Sequence, residues 1–495
     1  MRKITASVLV LILVLGVLSA CGKKSGGKET ESVTVPSGAE PTESAEVTEI
    51  RDYVKSLAEG ASYDGRSFTY YGGQDVNFPS KEEETGDIRS DALFYRQREI
   101  TELFGLDWTN ELAEGSDEVK DSLITEVMAG GDSYDLVHGF VRSVGRPTLN
   151  AGVLHEMQNL DHIDLEAKWW NQSLWDSYAL DGKLYFLIGP INVYNYLDTH
   201  VILFNKNVTR MFSIDDDDIY NSVKEGKWTI DRMFEIAKAI PENSSGTGVY
   251  RYDAPQGLPF FFSAGYKITR FDEDGLPYVP DKLPIEYSNL ADKIVPVFTD
   301  NSQSAFAYSK KNENFEKKYG CDEEDLFDDD RALFIFPDSS AVEYMRSFDV
   351  SFGIVPTPKL SENQKNYYCS TSSWSVGAVY VPKTVKNAEM TGRITEAMAA
   401  LSQIHVKEAY YDKLLKSQGI FDLESADMLD IIFANKVYDM ADLYSDGDIN
   451  NLGPFVQVMV DSLTYDNENF ASNYNAYSRV AKINIKLLLK TLSLG

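Results

Sequence analysis

Apolar and polar positions fall into element-forming patterns from about residue 66 onward. Ser67 to Tyr71 reads as a strand with Phe68 and Tyr70 on one face, and it runs into Gly72-Gly73-Gln74. Arg96 to Phe104 has helical spacing, with Ile100, Leu103 and Phe104 inward and Gly105 as the stop. A second helix is expected after Ser116, where Val119, Leu123 and Val127 recur every four residues and Gly130-Gly131 ends the run. Tyr134 to Val137 is a short apolar strand ending at His138-Gly139-Phe140. Strands and helices in this alternation predict an α/β domain with a largely parallel sheet.

The pattern then starts again. Leu184 to Ile188 and Val201 to Phe204 read as strands, and Thr229 caps a helix with Met233, Phe234, Ala237 and Ile240 inward. Asp272-Glu273-Asp274-Gly275 is a hairpin turn between Tyr266-Lys267-Ile268 and Leu276-Pro277-Tyr278-Val279. Ala332 to Phe336, Phe352 to Val355 and Val376 to Val381 are further strands, and the chain from Thr391 on is mainly helical.

The first sixty residues follow another rule. Arg2 and Lys3 precede an apolar run from Val8 to Leu18, too short to span a bilayer and placed as an export signal. Leu18-Ser19-Ala20-Cys21 resembles the lipobox of bacterial lipoproteins, which implies residues 1–20 as signal peptide and lipid attachment at Cys21. Residues 21–60 are then expected to be the acylated cysteine and a flexible tether of Lys, Gly, Ser, Thr, Glu and Pro. Gly22 to Lys28 fits the start of a phosphate-binding loop, but Glu29 follows in place of Ser or Thr and no strand precedes it.

Charge and cysteine content narrow the partners. The formal net charge of -30 becomes -32 when Arg2 and Lys3 leave with the signal, which argues against nucleic acid and against anionic headgroups. The membrane is therefore expected as a partner through the lipid anchor only, on the extracytoplasmic face of the cell. Cys321 and Cys369 are the other two cysteines, weak ground for a bridge. The five histidines show no ligand spacing, and no metal or cofactor is expected.

Several segments together resemble the extracellular solute-binding proteins of ABC importers, in the group that includes maltose-binding protein. Gly130-Gly131-Asp132-Ser133-Tyr134-Asp135-Leu136-Val137 is similar to that family's Gly-Asp-x-Pro-Asp strand entry. Asp181-Gly182-Lys183-Leu184-Tyr185 followed by Leu203-Phe204-Asn205-Lys206 resembles its Gly-Lys and Tyr-Asn-Lys signature, and Gly226-Lys227-Trp228-Thr229 its Thr-Trp-Glu helix start. Ala332-Leu333-Phe334 before Phe352-Gly353-Ile354-Val355-Pro356-Thr357-Pro358 resembles its Gly-x-Ala-Met and Gly-x-x-Pro-x-Pro pair. The likeness covers residue 66 to the C-terminus and departs by insertion at Asn192 to His200 and Asn301 to Leu326.

The resemblance implies a two-lobed periplasmic-binding-protein type II fold, α/β in each lobe, with a hinge and an interlobe ligand cleft. It places 66–191 and 334–381 in an N-terminal lobe and 192–333 and 382–495 in a C-terminal lobe, with crossovers near Ile191, Leu333 and Pro382. It further implies a monomer that takes up a small solute, a carbohydrate or oligosaccharide, by hinge closure and passes it to ABC permease subunits. It implies no catalysis. A secreted hydrolase using two carboxylates and a sensing receptor of the same fold are the alternatives.

Ligands in such sheets lie beyond the carboxyl ends of the strands. That selects Gly73, Gln74, His138 and Phe140, with Asn192 and Tyr194 near the first crossover. Gln256 falls where the family contacts sugar, Asp338 follows a crossover strand, and Trp374 sits in Ser370-Thr371-Ser372-Ser373-Trp374-Ser375. Sugars need flat aromatic faces and hydroxyl-binding amides or carboxylates, and this set holds both. Other readings compete: His138 as a strand-end histidine, Trp169-Trp170 and Trp228 as packing, Asp215 to Asp218 as a solvated run ahead of a helix. Asp446, Asp448 and Asn450 imitate the start of a calcium loop without its glycine and final glutamate.

Overall fold

The structure is a computed structural model that describes residues 44–73, 84–191, 193–243, 248–305, 319–321, 323–345, 348–410, 423–445 and 451–492. In chain order its strands are β1 (Ser67–Gly73), β2 (Asp107–Ala113), β3 (Leu136–Phe140), β4 (Ile202–Asn205), β5 (Tyr250–Asp253), β6 (Arg270–Phe271) and β7 (Pro277–Tyr278). They continue with β8 (Ser304–Ala305), β9 (Ala332–Ile335), β10 (Phe352–Val355), β11 (Cys369–Ser370), β12 (Gly377–Tyr380) and β13 (Lys436–Val437).

The first sheet has the order β12-β3-β1-β2. β1 runs parallel to β2 and β3, and β12 closes the other edge antiparallel, with Val379 opposite His138. Connections between the parallel strands are the helices Ile88–Phe104 and Ser116–Met128, as the apolar spacing predicts. Gly105 takes φ 69° at the end of the first and returns its N–H to Thr101, a left-handed stop that a side chain would strain. The second sheet has the order β10-β4-β9-β5-β8, with β5 parallel to β8 and β9 and β4 antiparallel to β9 and β10. Every residue of β4, β9, β10 and β12 is buried, whereas the edge strand β2 is largely exposed.

Four sequence expectations need correction. β10 lies in the second sheet, paired with β4, so the chain does not return to the first lobe near Leu333. It returns only past β11, because β9 and β10 are needed to flank β4. The third crossover also moves. Pro382 still bridges Leu154, and the helix Ala388–Ser402 packs on Ile88–Phe104, so the chain passes to the second lobe after Ser402. Leu184 to Ile188 forms no strand and makes a single bridge, Leu187 to Val379. Residues 45–58 are not tether but the helix Ala45–Ala58, in which Ile50, Val54 and Leu57 share one buried face. The predicted hairpin turn is present, but its first strand is β6 and not Tyr266-Lys267-Ile268, which forms no strand, and its second shortens to β7. Cys321 and Cys369 are both free thiols, the latter fully buried and pushed by burial up to about 12. The signal, Cys21 and the calcium-like Asp446, Asp448 and Asn450 lie outside the described residues.

Trp169 and Trp170 do pack, around a carboxylate. Their indole N–H groups donate to the two oxygens of Glu396, each at 2.9 Å, and the Tyr53 hydroxyl donates at 3.1 Å. Glu396 thereby joins the N-terminal helix, the Trp pair and the helix Ala388–Ser402. Trp228 is fully buried and donates to the Pro356 carbonyl at 2.8 Å, while Thr229 caps the next helix by accepting from the Arg232 N–H.

In the second lobe the helices Gly257–Ser263 and Gly453–Thr464 approach until backbone meets backbone. A Cβ on Gly257 would lie 1.9 Å from the Leu463 carbonyl oxygen. Gly257→Ala should therefore destabilise the protein by about 1–3 kcal/mol, as overpacking does. An unchanged urea midpoint would show that this helix pair can part without loss.

Candidate functional site

Past the ends of β5 and β9 of the second sheet lie two cavities that share Gln256. One, of about 260 Å³, is lined by His200, Gln256, Phe262, the run Ser370–Trp374 and Asp442. The other, of about 280 Å³, is lined by Gln256, Phe336, Asp338, Ser340 and Tyr344. Gln256 stands at the N-terminal end of the helix Gly257–Ser263, directly after β5, and Asp338 stands just past β9. Both therefore occupy the carboxyl ends of parallel strands, where ligands of α/β sheets bind.

Trp374 is the exposed aromatic of the first cavity, with 65% of its surface open. Its position is fixed from one side. The Arg142 guanidinium lies 3.7 Å from the ring centroid and donates to Ser373 Oγ at 3.0 Å and Ser445 Oγ at 2.7 Å. Arg142 is itself buried, in the π-helical turn Val141–Gly145 that follows β3. A buried cation covering one indole face leaves the other as a flat apolar platform.

Around that platform the polar groups have defined roles. Burial raises the Asp442 carboxyl above its ordinary range, opposed by hydrogen bonding from Ser373 and by the charges of Arg142 and His200. His200 Nδ1 lies 3.2 Å from both the carbonyl and the hydroxyl oxygen of Ser370. Asp338 accepts from the Ser340 N–H at 3.0 Å and from its hydroxyl. The site thus offers one aromatic face, two carboxylates, an amide and an imidazole.

The sequence-derived residues divide. Gln256, Asp338 and Trp374 line the cavities. Gly73 ends β1 opposite Ala113, and Gln74 and Asn192 lie outside the described residues. Phe140 and Tyr194 meet edge to face at 5.3 Å without lining either cavity. His138 is buried within β3, and its Nε2 lies 3.1 Å from where a Cβ on Gly377 would stand. Burial, reinforced by the Arg96 charge, pushes its imidazole down to about 3, so it remains neutral and belongs to the core. Arg142, His200 and Asp442 were missed. Arg142 stands only two residues beyond Phe140 and could have been found as the first cation past that strand end; Asp442 carries no comparable mark.

No family model and no curated protein matches this sequence. Solved structures do match. One is the cyclic alpha-maltosyl-1,6-maltose binding protein from Arthrobacter globiformis, at 13% identity over 85% of this chain and 99% of that one, TM-score 0.56. Another is the sugar-binding protein MalE from Xanthomonas citri, at 11% identity over 85% and 97%, TM-score 0.54. A third is the extracellular solute-binding protein from Staphylococcus aureus in complex with maltose, at 14% identity over 86% and 98%, TM-score 0.53. The chain has the two-lobed periplasmic-binding-protein type II fold. In the terms of that fold, Gln256 and Asp338 sit on the second lobe, Arg142 reaches across from the first, and Trp374 belongs to the segment between them.

Proposed function

We propose that this protein captures a carbohydrate, most simply a neutral oligosaccharide, between its lobes and delivers it to an ABC permease, held at the outer membrane face by a lipid on Cys21. The observation that carries the reading is Trp374, backed by a buried arginine and facing a cavity with Gln256 and Asp442. Saccharide rings present axial C–H groups to such a face and hydroxyls to such acceptors and donors. Two adjoining cavities sharing Gln256 suit more than one ring. The sugars in the names of similarly folded proteins support the class of ligand, and the lipobox-like Leu18-Ser19-Ala20-Cys21 supports the anchor. Binding without turnover is the expected outcome, a reading supported by the similarly folded proteins being named as binding proteins.

Titration of the wild type and of Trp374→Ala with an oligosaccharide panel tests this. Removing the platform should weaken the best ligand about ten- to hundredfold, about 1.4–2.8 kcal/mol. Equal affinity in the two proteins would put the sugar elsewhere and overturn the assignment.

A further inference from the structure

A third cavity, of about 630 Å³, shares no lining residue with the two described above. Tyr368, one residue before β11, lines it, whereas Ser370 at the end of β11 lines the Trp374 cavity. Its walls come from both lobes. Trp170 and Gln403 belong with the first, where Glu396 ties the Trp pair to the helix Ala388–Ser402. Phe433 lies in the last turn of the helix Leu423–Ala434, which packs on β10 of the second. Tyr196 contributes from the first crossover and Asn366 from the segment between β10 and β11.

Two features say what such a cavity would hold. The first is charge balance. Three lysines line it, and each is paired: Lys168 with Glu46 at 2.7 Å, Lys407 with Asp430 at 3.1 Å, and Lys436 with Asp198 at 2.6 Å. No uncompensated cation remains to attract an anion, and no carboxylate among the three is left to hold a cation. The second is the polar complement. The side chains of Asn366, Tyr368 and Gln403 are exposed or half-buried, come from separate segments and have no protein hydrogen-bond partner among the described residues, while Trp170 and Tyr196, almost wholly buried, form the floor beneath them. Uncharged donors and acceptors beside aromatic rings fit an uncharged, hydroxyl-rich solute.

We propose that this cavity is a second, effector site for a small neutral saccharide or polyol, distinct from the site under Trp374. Because both lobes build it, its occupancy is linked to lobe orientation. Solute in one site therefore changes affinity at the other by a common factor.

The test is calorimetric titration of the mature protein with glucose, maltose and maltotriose, repeated on Trp374→Ala, Tyr368→Ala and Gln403→Ala, with thermal unfolding as the folding control. The proposal expects two equivalents of sugar in the wild type. One survives Trp374→Ala, and that same one weakens at least tenfold in Tyr368→Ala or Gln403→Ala, whose unfolding temperatures stay close to wild type. A single equivalent abolished by Trp374→Ala would leave the proposed function standing and overturn this site. A single equivalent sensitive only to Tyr368→Ala and Gln403→Ala would establish this site and overturn the assignment at Trp374. Absence of any sugar binding, or a second equivalent indifferent to both Tyr368 and Gln403, overturns the proposal.

Discussion

Asp198→Ala should cost about 3–5 kcal/mol of stability, the usual effect of stranding one charge of a buried pair. Asp198 and Lys436 each expose about 1% of their side chains and meet at 2.6 Å. Burial pushes the Asp198 carboxyl up and the Lys436 ammonium down, and each partner opposes the shift of the other. Lys436 also donates to the Asn195 carbonyl at 2.9 Å. The pair therefore fastens the first crossover segment to β13, and through the β11–β13 pairing to the segment that carries Trp374. Without Asp198 the ammonium remains buried with one carbonyl and one amide oxygen as acceptors. The double variant Asp198→Ala/Lys436→Met removes both charges and should recover a large part of the loss. Urea unfolding of the four proteins measures the coupling; additive losses would mean the pair is not acting as a unit.

Stability should also fall by about 3 kcal/mol between pH 4.5 and 7 on account of Glu396 alone. Burial raises its carboxyl from 4.5 to about 7, against the lowering effect of the hydrogen bonds from Trp170, Trp169 and Tyr53. The sign follows from proton counts. An unfolded chain releases this proton near 4.5, while the folded protein keeps it until about 7. Between those values the folded state holds the extra proton, so raising the pH destabilises it. Glu396→Gln has no proton to lose, and its stability profile should lack this descent. Unfolding free energies at pH 5 and 7.5 for both proteins decide the point; parallel profiles would show that Glu396 titrates alike in both states.

Much of this fold was legible because burial leaves a period in the sequence. β1, β3, β4, β9, β10 and β12 were found as apolar runs, and the helix Ser116–Met128 by its four-residue repeat. β2 was not found. Its residues alternate in burial, but Asp107, Thr109 and Glu111 face outward on an edge strand, and Asn110 stands on the other face. The helix Ala45–Ala58 was hidden by the polar segment before it, although Ile50, Val54 and Leu57 already had helical spacing. Lobe membership failed for another reason. Which sheet a strand joins depends on long-range pairing, as between Phe352 and Asn205, and local periodicity carries no trace of it.

The site was legible in part. Gln256, Asp338 and Trp374 stand at strand ends or in a hydroxyl-rich loop, positions that a sequence exposes. Arg142 and Asp442 depend on a cation brought under an indole by a turn after β3 and on a carboxylate from near the C-terminal region. Only the assembled lobes put them together.

The most direct measurement of the central claim is a thermal-shift screen of the chain from Glu46 onward against mono- and oligosaccharides, with the mixtures assayed afterwards for intact sugar. A ligand that binds only the folded protein adds about 2.7 kcal/mol at a hundred times its Kd. The account predicts a clear rise in Tm with at least one oligosaccharide, recovered unchanged. Stabilisation by peptides or other solutes with silence from every sugar, or consumption of the sugar that stabilises, would contradict it.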